Sequence, residues 1–220
     1  MSGDAEIGDA ERLWRTARTL SRLGPRAKPS HGGVPRLPPL LALTDPARTP
    51  DPLALALRLP RGAGLVYRAF GAPDAPHVAR RLLAIARRRG LILLIGAGDP
   101  VLPAAGVHLP ERMVGPAWRF RRPGRLVTAA AHSARAIRRA RLAGCDAVLV
   151  SAVFESASAS AGKPMGPVRF AALVRGAGLP VYALGGVNAR TARRLLGSVA
   201  AGLAVVEALA APRQPQSLKA

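Results

Sequence analysis

The sequence predicts a small (β/α)₈ TIM barrel with a short or missing third helix. Three observations carry that expectation. Eight apolar runs of strand length begin at residues 40, 64, 91, 106, 126, 146, 180 and 202, and most are separated by a segment of helical periodicity. The runs are apolar throughout rather than alternating, as parallel strands buried on both faces are. Eight such units in about 170 residues suit a compact barrel. A doubly wound open sheet is the alternative, but no G-x-G-x-x-G follows an early strand, which counts against it.

The elements follow in order. Residues 1–39 form an N-terminal extension. Within it ERLWRTARTLSRL (11–23) sets Leu13, Trp14, Ala17, Leu20 and Leu23 near helical spacing among Arg12, Arg15, Arg18 and Arg22, and GPRAKPSHGGVPRLPP then reads as a Pro/Gly linker. The barrel spans 40–211 and a tail 212–220 follows. LLALT (40–44) is a strand ending at Asp45-Pro46, and 51–59 is helical. GLVYR (64–68) is a strand, and Asp74 is placed to cap a helix that runs to Arg89. LILLI (91–95) and GVHL (106–109) are strands. Only eleven residues separate Ile95 from Val107, so the third helix is rudimentary. LVTAAAH (126–132) is a strand, and Ser133 caps ARAIRRARLAG. DAVLVS (146–151) leads to the helix PVRFAALVRGAG, then to the strand PVYALGG. Asn188 caps NARTARRLLGS, and GLAVVEAL (202–209) closes the series.

Composition bounds the functional classes. The 220 residues suffice for one large core, and a hydrophobic share of 49% excludes general disorder. Aromatics are only 4%, so Ala, Val and Leu must build that core. A single cysteine, Cys145, cannot form an internal disulfide, which fits a cytoplasmic protein. No apolar run is long enough to span a membrane, and the acidic N-terminus lacks the apolar stretch of a secretory signal. Thirty-three basic against 12 acidic residues give a net charge of +21. That balance means either a solvated basic surface or attraction to polyanions such as nucleic acid or a pyrophosphate substrate. No stacking aromatics and no recognition motif are evident, so nucleic acid is disfavoured. The arginines fall on the outer helices (Arg80, Arg81, Arg87 to Arg89, Arg135, Arg138, Arg139, Arg141, Arg190, Arg193, Arg194), so the charge mostly coats the exterior, away from any ligand site.

In such a barrel the ligand site lies at the C-terminal ends of the strands. The loop Gly185-Gly186-Val187-Asn188 leaves backbone N–H groups bare at the start of a helix, where an anion can sit. Arg68 ends an apolar strand, a position that takes a guanidinium only with an anionic partner. Ser151 ends the sixth strand. Ser156, Ser158 and Lys163 in the next loop supply hydroxyls and a cation suited to wrapping phosphate. His108 and His132 stand at strand ends, with Asp99 and Glu111 as nearby carboxylates.

LALTDP, GAGLVYRAF, AAGVHLPERM, AAAHSARAIRRARLAGCDAVLVSAVFESAS, KPMG and LPVYALGGV occur in an order that resembles thiamine-phosphate synthase and its relative, thiazole tautomerase, over about residues 40–208. The resemblance implies a (β/α)₈ barrel that joins a pyrimidine-methyl pyrophosphate to a thiazole phosphate, with Mg²⁺, and releases pyrophosphate. It implies catalytic roles for Arg68 and His132. Ser151, Ser156, Ser158, Lys163, Gly185 and Gly186 would hold phosphate. The departures are as specific. Arg68 is kept, but the neighbouring glutamine and lysine are not. The family's two metal aspartates align with Gly96-Ala97-Gly98 and with Arg112, which leaves Asp99 and Glu111 as the carboxylates able to take Mg²⁺. A serine ahead of His132 is Ala130, the serine after strand eight is Glu207, and the tautomerase histidine is Ala152. Two other readings stay open: a diverged barrel that binds a phosphorylated ligand or a protein partner without turnover, and a basic accessory protein that binds RNA or an anionic membrane surface.

Overall fold

The computed structural model describes residues 8–24, 36–97, 103–115, 117–156 and 162–209. The eight apolar runs are eight parallel strands: β1 Leu40–Leu43, β2 Gly64–Tyr67, β3 Ile92–Gly96, β4 Gly106–Leu109, β5 Leu126–Ala131, β6 Ala147–Val150, β7 Val181–Ala183 and β8 Gly202–Val205. Each pairs with its successor, and β8 pairs with β1, so the expected barrel closes. The strands lack a polar phase because both of their faces meet apolar groups. Leu41, Leu43, Val66, Leu94, Leu149 and Tyr182 point into the barrel, while Leu40, Ala42, Leu65, Leu93, Val148 and Val150 join the layer under the helices. Tyr182 is fully buried inside the barrel, and its hydroxyl donates to the Pro38 carbonyl at 2.7 Å.

Among the described residues six α-helices surround the strands: α1 Asp9–Leu23, α2 Pro52–Arg58, α3 Ala75–Arg89, α4 Ala134–Leu142, α5 Gly166–Gly176 and α6 Ala189–Ala192. The caps read from the sequence are present at Asn188 and at Ser133, whose hydroxyl accepts from the Ala136 N–H at 3.1 Å. Asp74 occupies the N-cap position of α3 but makes no side-chain bond there. Pro76, two residues on, has no N–H to offer it.

Three crossovers depart from a regular barrel. Between β3 and β4 only residues 97–105 remain, as the spacing requires. Between β4 and β5 there is no α-helix but two 3₁₀ turns, Glu111–Met113 and Ala117–Phe120. Pro110, Gly115, Pro116, Pro123 and Gly124 punctuate that segment too often for a helix to propagate. The helix expected over 188–198 is shorter, since α6 ends at Ala192 and passes into a 3₁₀ turn at Arg193–Leu195.

The N-terminal helix α1 belongs to the barrel wall. It packs on α6, β8 and β1, with Leu13, Ala17 and Leu20 buried in the layer under the helices. That is the place of the helix that normally follows the eighth strand.

Candidate active site

The loops at the C-terminal strand ends enclose a cavity of about 850 Å³. Of the residues singled out in the sequence, Arg68, His108, His132, Ser151, Ser156, Gly185 and Gly186 line it, and so does Arg194, which the sequence placed on the outer face. Lys163 does not, although the adjacent Pro164 does, and its side chain is exposed. Glu111 does not line it either. Ser158 and Asp99 lie outside the described residues.

The first wall follows β1. Asp45 closes a tight turn: one carboxylate oxygen accepts from the backbone N–H groups of Ala47 and Arg48, each at 3.2 Å, and the Asp45 carbonyl accepts from the Thr49 N–H at 2.7 Å. The turn brings Arg48 back over Asp45, where Nη2 donates to Oδ2 at 2.8 Å, with both side chains largely shielded from solvent. This hydrogen bond holds the Asp45 carboxyl below its usual range, against the opposing effect of burial. Arg48 was not singled out in the sequence. The signal was the spacing: an Asp-Pro turn after strand one with an arginine three residues on.

Arg68, just past β2, lies against the same aspartate, its Nη2 3.7 Å from Asp45 Oδ2. Its Nε donates to the Thr44 carbonyl at 2.8 Å, and its backbone N–H donates to the Thr44 hydroxyl at 2.8 Å. Phe70, held at φ 52°, lays its ring 5.1 Å from the guanidinium carbon. Among the described residues Arg68 Nη2 is buried without a hydrogen-bond partner. Glu207, after β8, lines the cavity with its carboxylate 3.7 Å from Arg48 Nε.

After β7 the Gly-Gly loop takes its form from crowding. Gly185 and Gly186 have φ of 87° and 64°. A Cβ on Gly186 would collide with the Glu155 carbonyl oxygen, and one on Gly185 would come within 2.8 Å of Ala152. Their N–H groups make no hydrogen bond among the described residues. The bare donors therefore sit on the glycines and not on the helix. Asn188 Oδ1 accepts from the Arg190 and Thr191 N–H groups, both at 3.0 Å, so α6 caps its own first turn, and it is only four residues long.

Two histidines face the cavity in different states. His108 on β4 is buried, with Nδ1 3.0 Å from the Thr128 hydroxyl. That hydroxyl donates its proton to the Val107 carbonyl, so it must accept from His108. Nδ1 thus carries the proton and Nε2 keeps a free lone pair. Burial, then the charge of Arg68, pushes the His108 pKa down to about 3, so the ring is neutral. His132 instead bonds Glu111 twice, through its backbone N–H at 3.0 Å and through Nδ1 at 2.7 Å. Arg139 meets the other oxygen of Glu111 at 3.3 Å. Both oxygens of the carboxylate suggested for Mg²⁺ thus already accept from the protein itself. Among the described residues no three His, Cys, Asp or Glu side chains gather to hold a metal ion.

A closed parallel barrel of this kind places its ligand face at the C-terminal strand ends, where the guanidinium and backbone donors lie. Comparison with known proteins is more specific. The family model described as thiamine monophosphate synthase matches residues 62–209. The thiamine-phosphate synthase of Chlorobium luteolum is 27% identical over 192 residues, covering 83% of this chain and 90% of the relative. That of Anaeromyxobacter dehalogenans is 32% identical over 180 residues, covering 77% and 81%. The structure of thiamine phosphate pyrophosphorylase from Pyrococcus furiosus superposes with a TM-score of 0.66 at 23% identity, over 78% of this chain and 87% of that one, and supports the fold. The chain belongs to the thiamine monophosphate synthase family, a family of transferases. Among the described residues no helix is long and apolar enough to cross a membrane.

Proposed function

We propose that the protein joins a pyrimidine-methyl pyrophosphate to a thiazole phosphate, forming thiamine phosphate and pyrophosphate. The carbon–oxygen bond to pyrophosphate breaks with its electron pair on oxygen, and the thiazole nitrogen bonds to the methyl carbon so exposed. No proton moves in that exchange. The demand on the protein is to stabilise departing negative charge.

The observation that carries this reading is the make-up of the cavity: two shielded guanidiniums, Arg48 and Arg68, after β1 and β2, and backbone N–H groups at Gly185 and Gly186, after β7, with no acceptor among the described residues. The arginines suit the pyrophosphate and the glycine loop the thiazole phosphate. His108, neutral with a bare Nε2, serves to orient a heterocycle by accepting a hydrogen bond. Ser151 and Ser156 line the same cavity. Mg²⁺, which the resemblance implies, finds no fitting donor set among the described carboxylates, and no step is assigned to it here.

The test is direct. Purified protein is incubated with both substrates, with and without Mg²⁺, and thiamine phosphate is measured by oxidation to its fluorescent thiochrome. Product above a no-enzyme blank, lost in Arg68→Ala, is expected, and no product in either buffer would overturn the reading. Glu207 favours a second reading, since its carboxylate stands in the anion cavity. A thermal shift with thiazole phosphate but no turnover would then describe a barrel that binds without catalysing.

A further inference from the structure

Three of the described carboxylates at the mouth of the barrel are engaged by side chains of the protein itself. Asp45 accepts from Arg48 and from two backbone N–H groups, Glu111 is divided between His132 and Arg139, and Glu207 leans on Arg48. Mg²⁺ wants hard oxygen ligands, usually one or two carboxylates that can turn toward it. Asp45 and Glu111 cannot do so without stripping an arginine of its partner.

What the cavity presents instead is a pair of guanidiniums fixed by one aspartate. Arg48 and Arg68 meet Asp45 Oδ2 at 2.8 and 3.7 Å. Their side chains keep only 15% and 24% of their exposure. Each is anchored on one edge, Arg48 by its Nη2 on Asp45 and Arg68 by its Nε on the Thr44 carbonyl. Most of their other N–H donors have no acceptor among the described residues. One shielded carboxylate does not balance two shielded guanidiniums, and Glu207 is half exposed and free to swing away. A guanidinium binds phosphate oxygens through paired N–H groups, and it does so more strongly where water is excluded.

We propose that Arg48 and Arg68, held side by side by Asp45, bind and neutralise a pyrophosphate group without a bound divalent cation. The proposal rests on the synthase reading for the identity of the ligand. It adds Arg48 to the site and gives the pair of arginines the task that a metal ion performs elsewhere.

The test uses the full-length protein and inorganic pyrophosphate, titrated calorimetrically in EDTA and again in MgCl₂. Saturable binding in EDTA is expected, weakened at least tenfold in Arg48→Ala and partly restored in Arg48→Lys, with the melting temperatures of the variants confirming folding. Binding that appears only with Mg²⁺ overturns the proposal whatever the variants do. So does wild-type affinity in Arg48→Ala. The two readings fail separately. Pyrophosphate binding in EDTA with no thiamine phosphate formed from the two substrates removes the synthase and keeps the arginine pair. Product that vanishes in EDTA, together with pyrophosphate binding that returns only with Mg²⁺, removes the pair and keeps the synthase.

Discussion

Glu207 is the residue whose chemistry opposes its surroundings. It brings a half-exposed carboxylate into a cavity built for anions and leans on Arg48 at 3.7 Å. A bound phosphate must displace it or lie beside it. Glu207→Gln is therefore expected to tighten binding of inorganic pyrophosphate several-fold, with the gain shrinking as salt screens the charge; unchanged or weaker affinity would count against this. His108 yields a second prediction. In the folded protein its pKa is about 3, against 6.5 for an ordinary histidine. Between those values the unfolded chain holds a proton that the fold refuses, so acidification lowers stability by about 1.4 kcal/mol per pH unit across the window. Above pH 6.5 the contribution is complete, and by pH 3 it is lost. His108→Asn, which preserves a donor toward Thr128, is expected to flatten that slope in urea unfolding measured at pH 7 and pH 4.5. At this scale legibility was uneven. Arg68 announced itself as a charge at the end of an apolar strand. Arg48 did not, because an arginine in a turn is ordinary until the fold carries it over Asp45. Glu111 was legible as a carboxylate near the site, but not as one tied to His132 and Arg139.

Among the elements, the Gly-Gly loop and α1 make the sharpest claims. Gly186 combines a positive φ with a neighbour, the Glu155 carbonyl, that no Cβ can share space with. Gly186→Ala must push the strand-six loop outward. It is expected to abolish phosphate binding and to lower the melting temperature, whereas Gly176→Ala, in open space on α5, leaves both close to wild type. Leu20 of α1 is fully buried against the barrel. Leu20→Ala is expected to cost about 2–5 kcal/mol in urea unfolding. A helix merely resting on the domain would lose far less. The strands were legible to within a residue or two at most ends, since each apolar run is bounded by glycine, proline or a polar residue. The docking of α1 was not, because helical spacing shows an apolar stripe and not the wall that stripe covers. The short α6 was not legible either, since ARTARRLL carries no breaker before Gly197.

Over the whole molecule, charge is sorted along the barrel axis. Asp45, Glu111, Glu155 and Glu207 follow strands at the ligand end, and Asp51 and Asp74 start helices there. Among the described residues Asp146 is the exception, and it is half-buried with Oδ2 bound to the Val127 N–H at 2.7 Å. The helices close in arginine at the other end: Arg22, Arg58, Arg87 to Arg89, Arg141 and Arg175. Basic groups there complement the helix dipoles, but a net charge of +21 leaves most of them repelling one another. Added sodium chloride up to about a Debye length of 3–5 Å is expected to raise the melting temperature, whereas a fold held mainly by surface ion pairs would lose stability. The placement of α1 bears finally on how the chain is made. The partners of α1, β8 and α6, are made long after it, and β1 likewise waits for β8. Neither edge of the growing sheet is covered until β8 has been made. From β1 to β8 the nascent barrel is open and its amphipathic helix α1 has no wall to lie on, and that is when it most needs a chaperone's shelter.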